Sequence, residues 1–205
     1  MNKDLKTEIA FEIGTPLMHR FLLLLQHGFM VKCSTGCSVS KFLCEELGLT
    51  PEYVSEKIQT VFLDGKPVDD LEGATVKNGS RLSLSSAMPG LVGVTLKRGS
   101  ILASFRQTIT YVEEPGTRKE AKGSIYMKLF NLVMKETGSL FLERGICVQS
   151  SILLDFIRNQ NENFLADCKG IKRNGVQVEA AALESVISSA GDWIYLKVIA
   201  GQEEG

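Results

Sequence analysis

Val61-Phe62-Leu63-Asp64-Gly65-Lys66-Pro67-Val68 is the stretch on which the fold turns. An apolar run meets a two-residue turn with glycine second, and the chain then returns, as a tight hairpin requires. One such turn would be weak evidence, but the pattern recurs as Ile171-Lys172-Arg173-Asn174-Gly175-Val176-Gln177-Val178, at an offset of 110. Working outward from the two turns at that offset gives eight identities among the 48 pairs from 21/131 to 68/178. Among them are Leu22/Leu132, Gly28/Gly138, Cys37/Cys147, Ser40/Ser150 and Leu43/Leu153. Apolar character persists without a gap at Phe42/Ile152, Leu47/Ile157 and Val61/Ile171. Beyond Val68 the offset becomes 112, which aligns Gly79 with Gly191, Leu82 with Ile194 and Leu84 with Leu196. The pattern predicts an internal duplication. The expected boundary is Met88-Pro89-Gly90-Leu91-Val92-Gly93, which breaks the periodicity and divides the chain into residues 1–90 and 91–205.

Each copy is expected to run strand, strand, helix, strand, turn and final strand. In the first copy, 21–26 reads as a strand that turns at His27-Gly28 into a second strand over 29–34. Ser38 is placed to cap a helix through Leu47, with Val39, Phe42, Leu43 and Leu47 on one face, and Gly48 to end it. Strands are expected over 58–63 and 81–85. The second copy reads as strands over 129–135, 139–144, 169–173 and 193–199, with a helix over 150–158. An additional strand precedes each copy, over 8–13 and over 100–112, where apolar and polar residues alternate. A polar loop is expected from Glu113 to about Gly123.

The Asp64-Gly65 segment, followed by Asn78-Gly79-Ser80-Arg81-Leu82, resembles the ubiquitin-like β-grasp family, and most of all the sulfur-carrier proteins of thiamine and molybdopterin synthesis. Asn174-Gly175 and Gly191-Asp192, before Trp193-Ile194-Tyr195-Leu196, match that family's turns still better. The resemblance covers most of each half, leaving the additional strands and the 91–123 connector outside it. It implies an α+β chain of two tandem β-grasp domains. Each would be a mixed sheet packed on one helix, with an extra N-terminal strand. The carriers work through a free C-terminal Gly-Gly, adenylated and then converted to a thiocarboxylate. Here the second copy ends Gln202-Glu203-Glu204-Gly205, a single glycine behind two acids, and the expectation is an unreactive tail.

Composition sets the outer limits. The 205 residues carry 23 Lys plus Arg against 24 Asp plus Glu, a net charge of −1, which argues against a protein held to nucleic acid by phosphate neutralisation. Only residues 91–123 are locally basic, with six basic and three acidic side chains. The longest aliphatic run is Leu22 to Leu25, far short of the roughly 20 residues of a membrane span, and residues 1–6 hold no apolar signal core. A cytoplasmic protein with neither a nucleic-acid nor a membrane partner is expected.

No residue pattern defines a catalytic, cofactor or metal site. Cys33, Cys37 and Cys44 form a C-x3-C-x6-C run, unlike the C-x4-C-x2-C of plant-type ferredoxins, and no Cys-x2-Cys pair exists. Cys37 aligns with Cys147, whereas Cys44 aligns with Leu154 and Cys168 with Ile58, so buried structural thiols are expected, Cys37 and Cys147 near the start of each helix. The alternatives are a redox or metal role for Cys33, Cys37 and Cys44, or a nucleophile at Cys33 or Cys37 with His27 as base. His19 is placed within a strand, and His27 reads as a solvated turn residue. Asp69, Asp70 and Glu72 read as a solvated acidic run. Residues 93–100 lack the Gly-Lys-Ser/Thr order of a phosphate loop. The resulting expectation is a non-enzymatic interaction protein without cofactor, offering a sheet face or strand edge to a protein partner. A sulfur-carrier or ubiquitin-like modifier relative is the alternative, with a small Cys-dependent enzyme behind it. Oligomeric state is left open.

Overall fold

In the computed structural model, which describes residues 7–113, 119–161 and 163–201, the alternation of Ile9, Phe11 and Ile13 with Glu8, Ala10 and Glu12 forms strand β1 (Glu8–Ile13). It is followed by α1 (Thr15–Leu22), α2 (Leu24–His27) and β2 (Phe29–Thr35). Next come α3 (Val39–Lys41), continued by a π-turn (Phe42–Glu46), then α4 (Pro51–Glu56), β3 (Thr60–Leu63), β4 (Lys66–Pro67) and β5 (Arg81–Ser85). The middle of the chain holds α5 (Gly90–Leu96) and a 3₁₀ turn (Ala103–Arg106). Then follow β6 (Ala121–Phe130), α6 (Asn131–Arg144), β7 (Ile146–Gln149) and α7 (Ser150–Arg158). The last elements are β8 (Cys168–Arg173), β9 (Val176–Gln177), α8 (Leu183–Ser188) and β10 (Trp193–Ala200). The chain is α+β with mixed parallel and antiparallel pairing.

Contacts gather the chain into two compact units. One is continuous, Met30–Glu136; the other joins the chain up to Phe29 with the chain from Thr137 onward. The transitions fall at 29/30 and 136/137, whereas the sequence pattern suggested one boundary at 90/91. In the continuous unit the strand order is β4-β3-β5-β6-β2. In the discontinuous unit it is β7-β10-β1-β8-β9.

The repeated turn is present in both. Asp64 and Gly65 have φ of 51° and 81°, and Asn174 and Gly175 have 48° and 82°. The first residue tolerates the left-handed region through its short polar side chain, and the second through lacking a Cβ. The hydrogen bond that closes the first hairpin runs from Val68 N–H to the Val61 carbonyl at 2.8 Å, and its counterpart runs from Val178 to Ile171 at 2.8 Å. The helices agree less closely. Leu43/Leu153 and Leu47/Ile157 are buried in both copies, but Phe42 is buried where Ile152 is half-buried.

The outer strands depart from the 112 offset. Asp64 Oδ1 accepts from the backbone of Arg81 at 2.7 Å, and Asn174 Oδ1 accepts from the backbone of Glu8 at 2.7 Å. So β1, not β10, occupies beside β8 the place that β5 occupies beside β3. β10 correspondingly takes the place of β6: Tyr126 N–H donates to Ser80 at 2.9 Å, and Tyr195 N–H to Thr7 at 3.0 Å. Ile125-Tyr126-Met127-Lys128-Leu129 and Ile194-Tyr195-Leu196-Lys197-Val198 are thus matching strands, Ile125 answering to Ile194.

Several expected strands are helices. Residues 21–26 lie in α1 and α2, and 139–144 in α6, while 129–135 divides between β6 and α6. Five successive apolar residues, Phe21 to Leu25, fit a buried strand or a buried helix equally in pattern, and Pro16 in the first turn favours the helix. In α6 the buried residues Val133, Met134, Thr137, Phe141 and Leu142 follow helical spacing. Consequently Gly28 (φ 108°) closes α2 rather than a hairpin. The polar loop is shorter than expected because β6 starts at Ala121, and residues 114–118 lie outside the described residues. The discontinuous unit is centred on Phe11, Phe21, Phe156 and Phe164, with ring centroids 5.0–5.6 Å apart in tilted and edge-on pairs.

Candidate interaction surface

Residues 100–112, read as an alternating strand, are the largest departure from the expected elements. They form turns and the 3₁₀ turn Ala103–Arg106. Their polarity is also inverted relative to a core strand: Arg106 is 3% exposed, while Ile101 is 90% and Phe105 80% exposed. The reason lies in what Arg106 reaches. Its guanidinium makes a bidentate pair with Asp69, Nη2 to Oδ1 at 2.7 Å and Nη1 to Oδ2 at 2.9 Å. Nε donates to the Thr95 carbonyl at 2.7 Å, Nη1 to Thr110 Oγ1 at 2.9 Å and Nη2 to the Lys97 carbonyl at 3.4 Å. All five guanidinium donors are satisfied, which a buried arginine needs.

Arg98 fixes the same segment at a second point. Its Nε and Nη2 donate to the Ile58 carbonyl at 3.1 and 2.6 Å, and Nη2 also to the Val54 carbonyl at 2.8 Å. These carbonyls lie at and just beyond the end of α4, where a cation is favoured. Tyr111 fixes a third point, its N–H donating to the Pro67 carbonyl of β4 at 2.8 Å. Glu113 then accepts from the Tyr111 hydroxyl at 3.0 Å and from the Thr75 N–H at 2.7 Å, and pairs with Lys77 at 3.0 Å. Burial raises the Glu113 pKa, but these donors outweigh it and hold the carboxyl below its ordinary range.

With Arg98 and Arg106 turned inward, the segment presents apolar side chains outward, beside the exposed Lys97, Ser104, Gln107 and Thr108. Leu91, Val92, Val94, Ile101, Phe105, Ile109 and Val112 are 44–90% exposed. Among the described residues, six large apolar side chains reach 70% exposure, and only Val176 of the six lies outside this segment. Monomeric proteins seldom leave large apolar side chains concentrated in this way, and such concentrations mark interaction sites. The signal was in the sequence as a composition: no acidic residue occurs between Met88 and Val112, and the basic ones are Lys97, Arg98 and Arg106 alone.

The residues singled out from sequence fall elsewhere or take other roles. All five cysteines are free thiols; Cys37 and Cys147 are buried, whereas Cys33, Cys44 and Cys168 are only half-buried. Cys37 precedes the helix capped by Ser38, whose Oγ accepts from Lys41 N–H at 3.1 Å. Burial first, then Glu46 and Cys37, pushes the Cys33 thiol up to about 11. Burial and Asp167 push Cys168 up to about 11, and burial followed by Glu72, Glu45 and Glu52 raises Cys44. Each shift runs opposite to that of an activated nucleophile. His19 is in α1 rather than a strand, and His27 is in the last turn of α2. Among the described residues, no group of three or more His, Cys, Asp or Glu is arranged to hold a metal ion.

Asp69, Asp70 and Glu72 are exposed in a loop, as a solvated acidic run would be, and each also accepts hydrogen bonds that tie the loop to its surroundings. Asp69 holds Arg106, Asp70 Oδ1 accepts from the backbones of Glu72 and Gly73 at 3.0 and 2.9 Å, and Glu72 accepts from Ser38 Oγ at 3.3 Å. β4 and β9, each at one end of its unit's strand order, are two residues long, so neither offers a long ladder to an added strand. Residues 202–205, including Gly205, lie outside the described residues. Among the described residues, no helix is long and apolar enough to cross a membrane. Comparison with protein-family models, curated proteins and solved structures yields no match.

Proposed function

We propose that this chain is a non-enzymatic protein-interaction module whose docking surface is the outward side of residues 91–112. The observation that carries this reading is the inverted polarity of that segment, with arginines anchored inward and seven large apolar side chains outward. A strap tied at Arg98, Arg106 and Tyr111 offers its apolar groups in a prearranged form, which lowers the ordering cost of binding. The repeated Asp64-Gly65 and Asn174-Gly175 turns, each within a mixed sheet, support reading the two units as β-grasp modules. The raised thiol pKa values weigh against the Cys-dependent enzyme.

The test is a photocrosslink in the cell. A benzophenone amino acid replaces Phe105 in the full chain, and another replaces Val176, which is 70% exposed on β9. Illumination is expected to produce a discrete protein adduct from position 105 and none from position 176. An unlinked chain from position 105 would reject the proposed surface.

A further inference from the structure

We infer that the occupant of the 91–112 surface is a second copy of this chain, forming a two-fold dimer. This rests on the interaction-module reading and specifies its partner. The first argument is area. Seven side chains at 44–90% exposure leave on the order of 800 Å² of largely apolar surface, about one partner's share of a standard interface. Covering all seven at once would bury the area that a stable dimer needs.

The second argument is charge. Arg98 and Arg106 are spent on carbonyls and on Asp69, so Lys97 is the one remaining cation between Met88 and Val112. An acidic partner would find little to pair with, and an anionic lipid surface is ordinarily met by a cluster of four or more basic residues. A two-fold interface sets each patch against itself, and a patch almost free of charge can meet its own copy without like-charge repulsion. α5 and the 3₁₀ turn are joined by Arg106 through Thr95, so Leu91, Val92 and Phe105 belong to one anchored element.

The experiment is sedimentation equilibrium on the purified full chain at about 100 µM, enough to fill an interface of micromolar affinity. The expected mass is twice the 22.5 kDa of the chain. Ile101→Asp/Phe105→Asp should return it to the single-chain mass with unchanged circular dichroism and unfolding midpoint; Leu91→Asp on α5 provides a second, independent disruption. Val176→Asp should leave the dimer intact. Raising NaCl from about 0.1 to about 1 M, which shortens the screening length from about 10 to about 3 Å, should change the dissociation constant less than threefold. A wild-type monomer overturns the proposal, as does a dimer that survives both disruptions, is split by Val176→Asp, or weakens tenfold in salt. A monomer in purified form whose position 105 still crosslinks in cells would reject the second copy and leave the interaction module standing. A monomer with no crosslink would reject both.

Discussion

A guanidinium that is 3% exposed has given up nearly all of its hydration, and at Arg106 five acceptor contacts replace it. Removing the one charged acceptor leaves a cation inside the protein without its counter-charge. Asp69→Asn is therefore expected to destabilise the fold by about 2–3 kcal/mol in urea unfolding, somewhat below the range for fully buried pairs because Asp69 is 36% exposed. A loss below about 0.5 kcal/mol would show that the pair is not an anchor. The cysteines give a prediction in pH. Cys33 and Cys168 rise from the ordinary 9.0 to about 11, so the folded chain holds those protons more tightly than the unfolded chain. That contribution to stability is complete below about pH 9 and is lost as pH rises from about 9 to about 11. Cys33→Ser/Cys168→Ser should flatten this part of the stability curve, measured by denaturant unfolding at closely spaced pH values.

At the scale of elements, the hairpin turn and the two helices that begin after Ser38 and Gln149 were legible because their signals are local. A positive-φ pair, a capping hydroxyl at Ser38 and an apolar face at helical spacing act over a few residues. The α1–α2 region and α6 were not legible as helices, since Phe21 to Leu25 and Leu132 to Met134 satisfy two periodicities at once. The 100–112 segment misled more deeply. Its alternation is real, but the buried member is Arg106, and the charged acceptor that this burial requires is Asp69, 37 residues away in sequence. The candidate surface was hidden for the same reason. The turn equivalence itself is testable: Asp64→Ala and Asn174→Ala each remove an acceptor from a neighbouring strand and place a Cβ-bearing apolar residue at positive φ. Each should cost about 1–3 kcal/mol by chemical denaturation, and the two losses should agree within about 1 kcal/mol. A loss at one turn alone would undo the equivalence.

At the scale of the molecule, β1 is paired on both edges, parallel to β10 and antiparallel to β8. It brings Ile9, Phe11 and Ile13, each no more than 1% exposed, into the discontinuous unit. Deleting residues 1–14 should therefore abolish amide protection in 146–200 while leaving the amides of 60–85 and 121–130 protected, as read by hydrogen exchange. A division of the chain at 90/91 leads to the opposite result, with protection lost within residues 1–90. The exchange map thus decides which organisation the folded chain uses.

The placement of β1 also has a consequence during synthesis. Its antiparallel partner β8 begins only at Cys168, and β10 ends at Ala200. At roughly 5–20 residues per second, the ribosome delivers β8 about 8–30 s after β1 has been made. The continuous unit is complete at Glu136, so its full length is free to fold for only the last ~2–6 s of that interval, before β8 follows it out of the exit tunnel. Throughout it the nascent chain carries Ile9, Phe11, Phe21 and Leu25 with nothing to pack against from the late-made segment. A holding chaperone would find its binding site there, and would be displaced when β8 and β10 arrive.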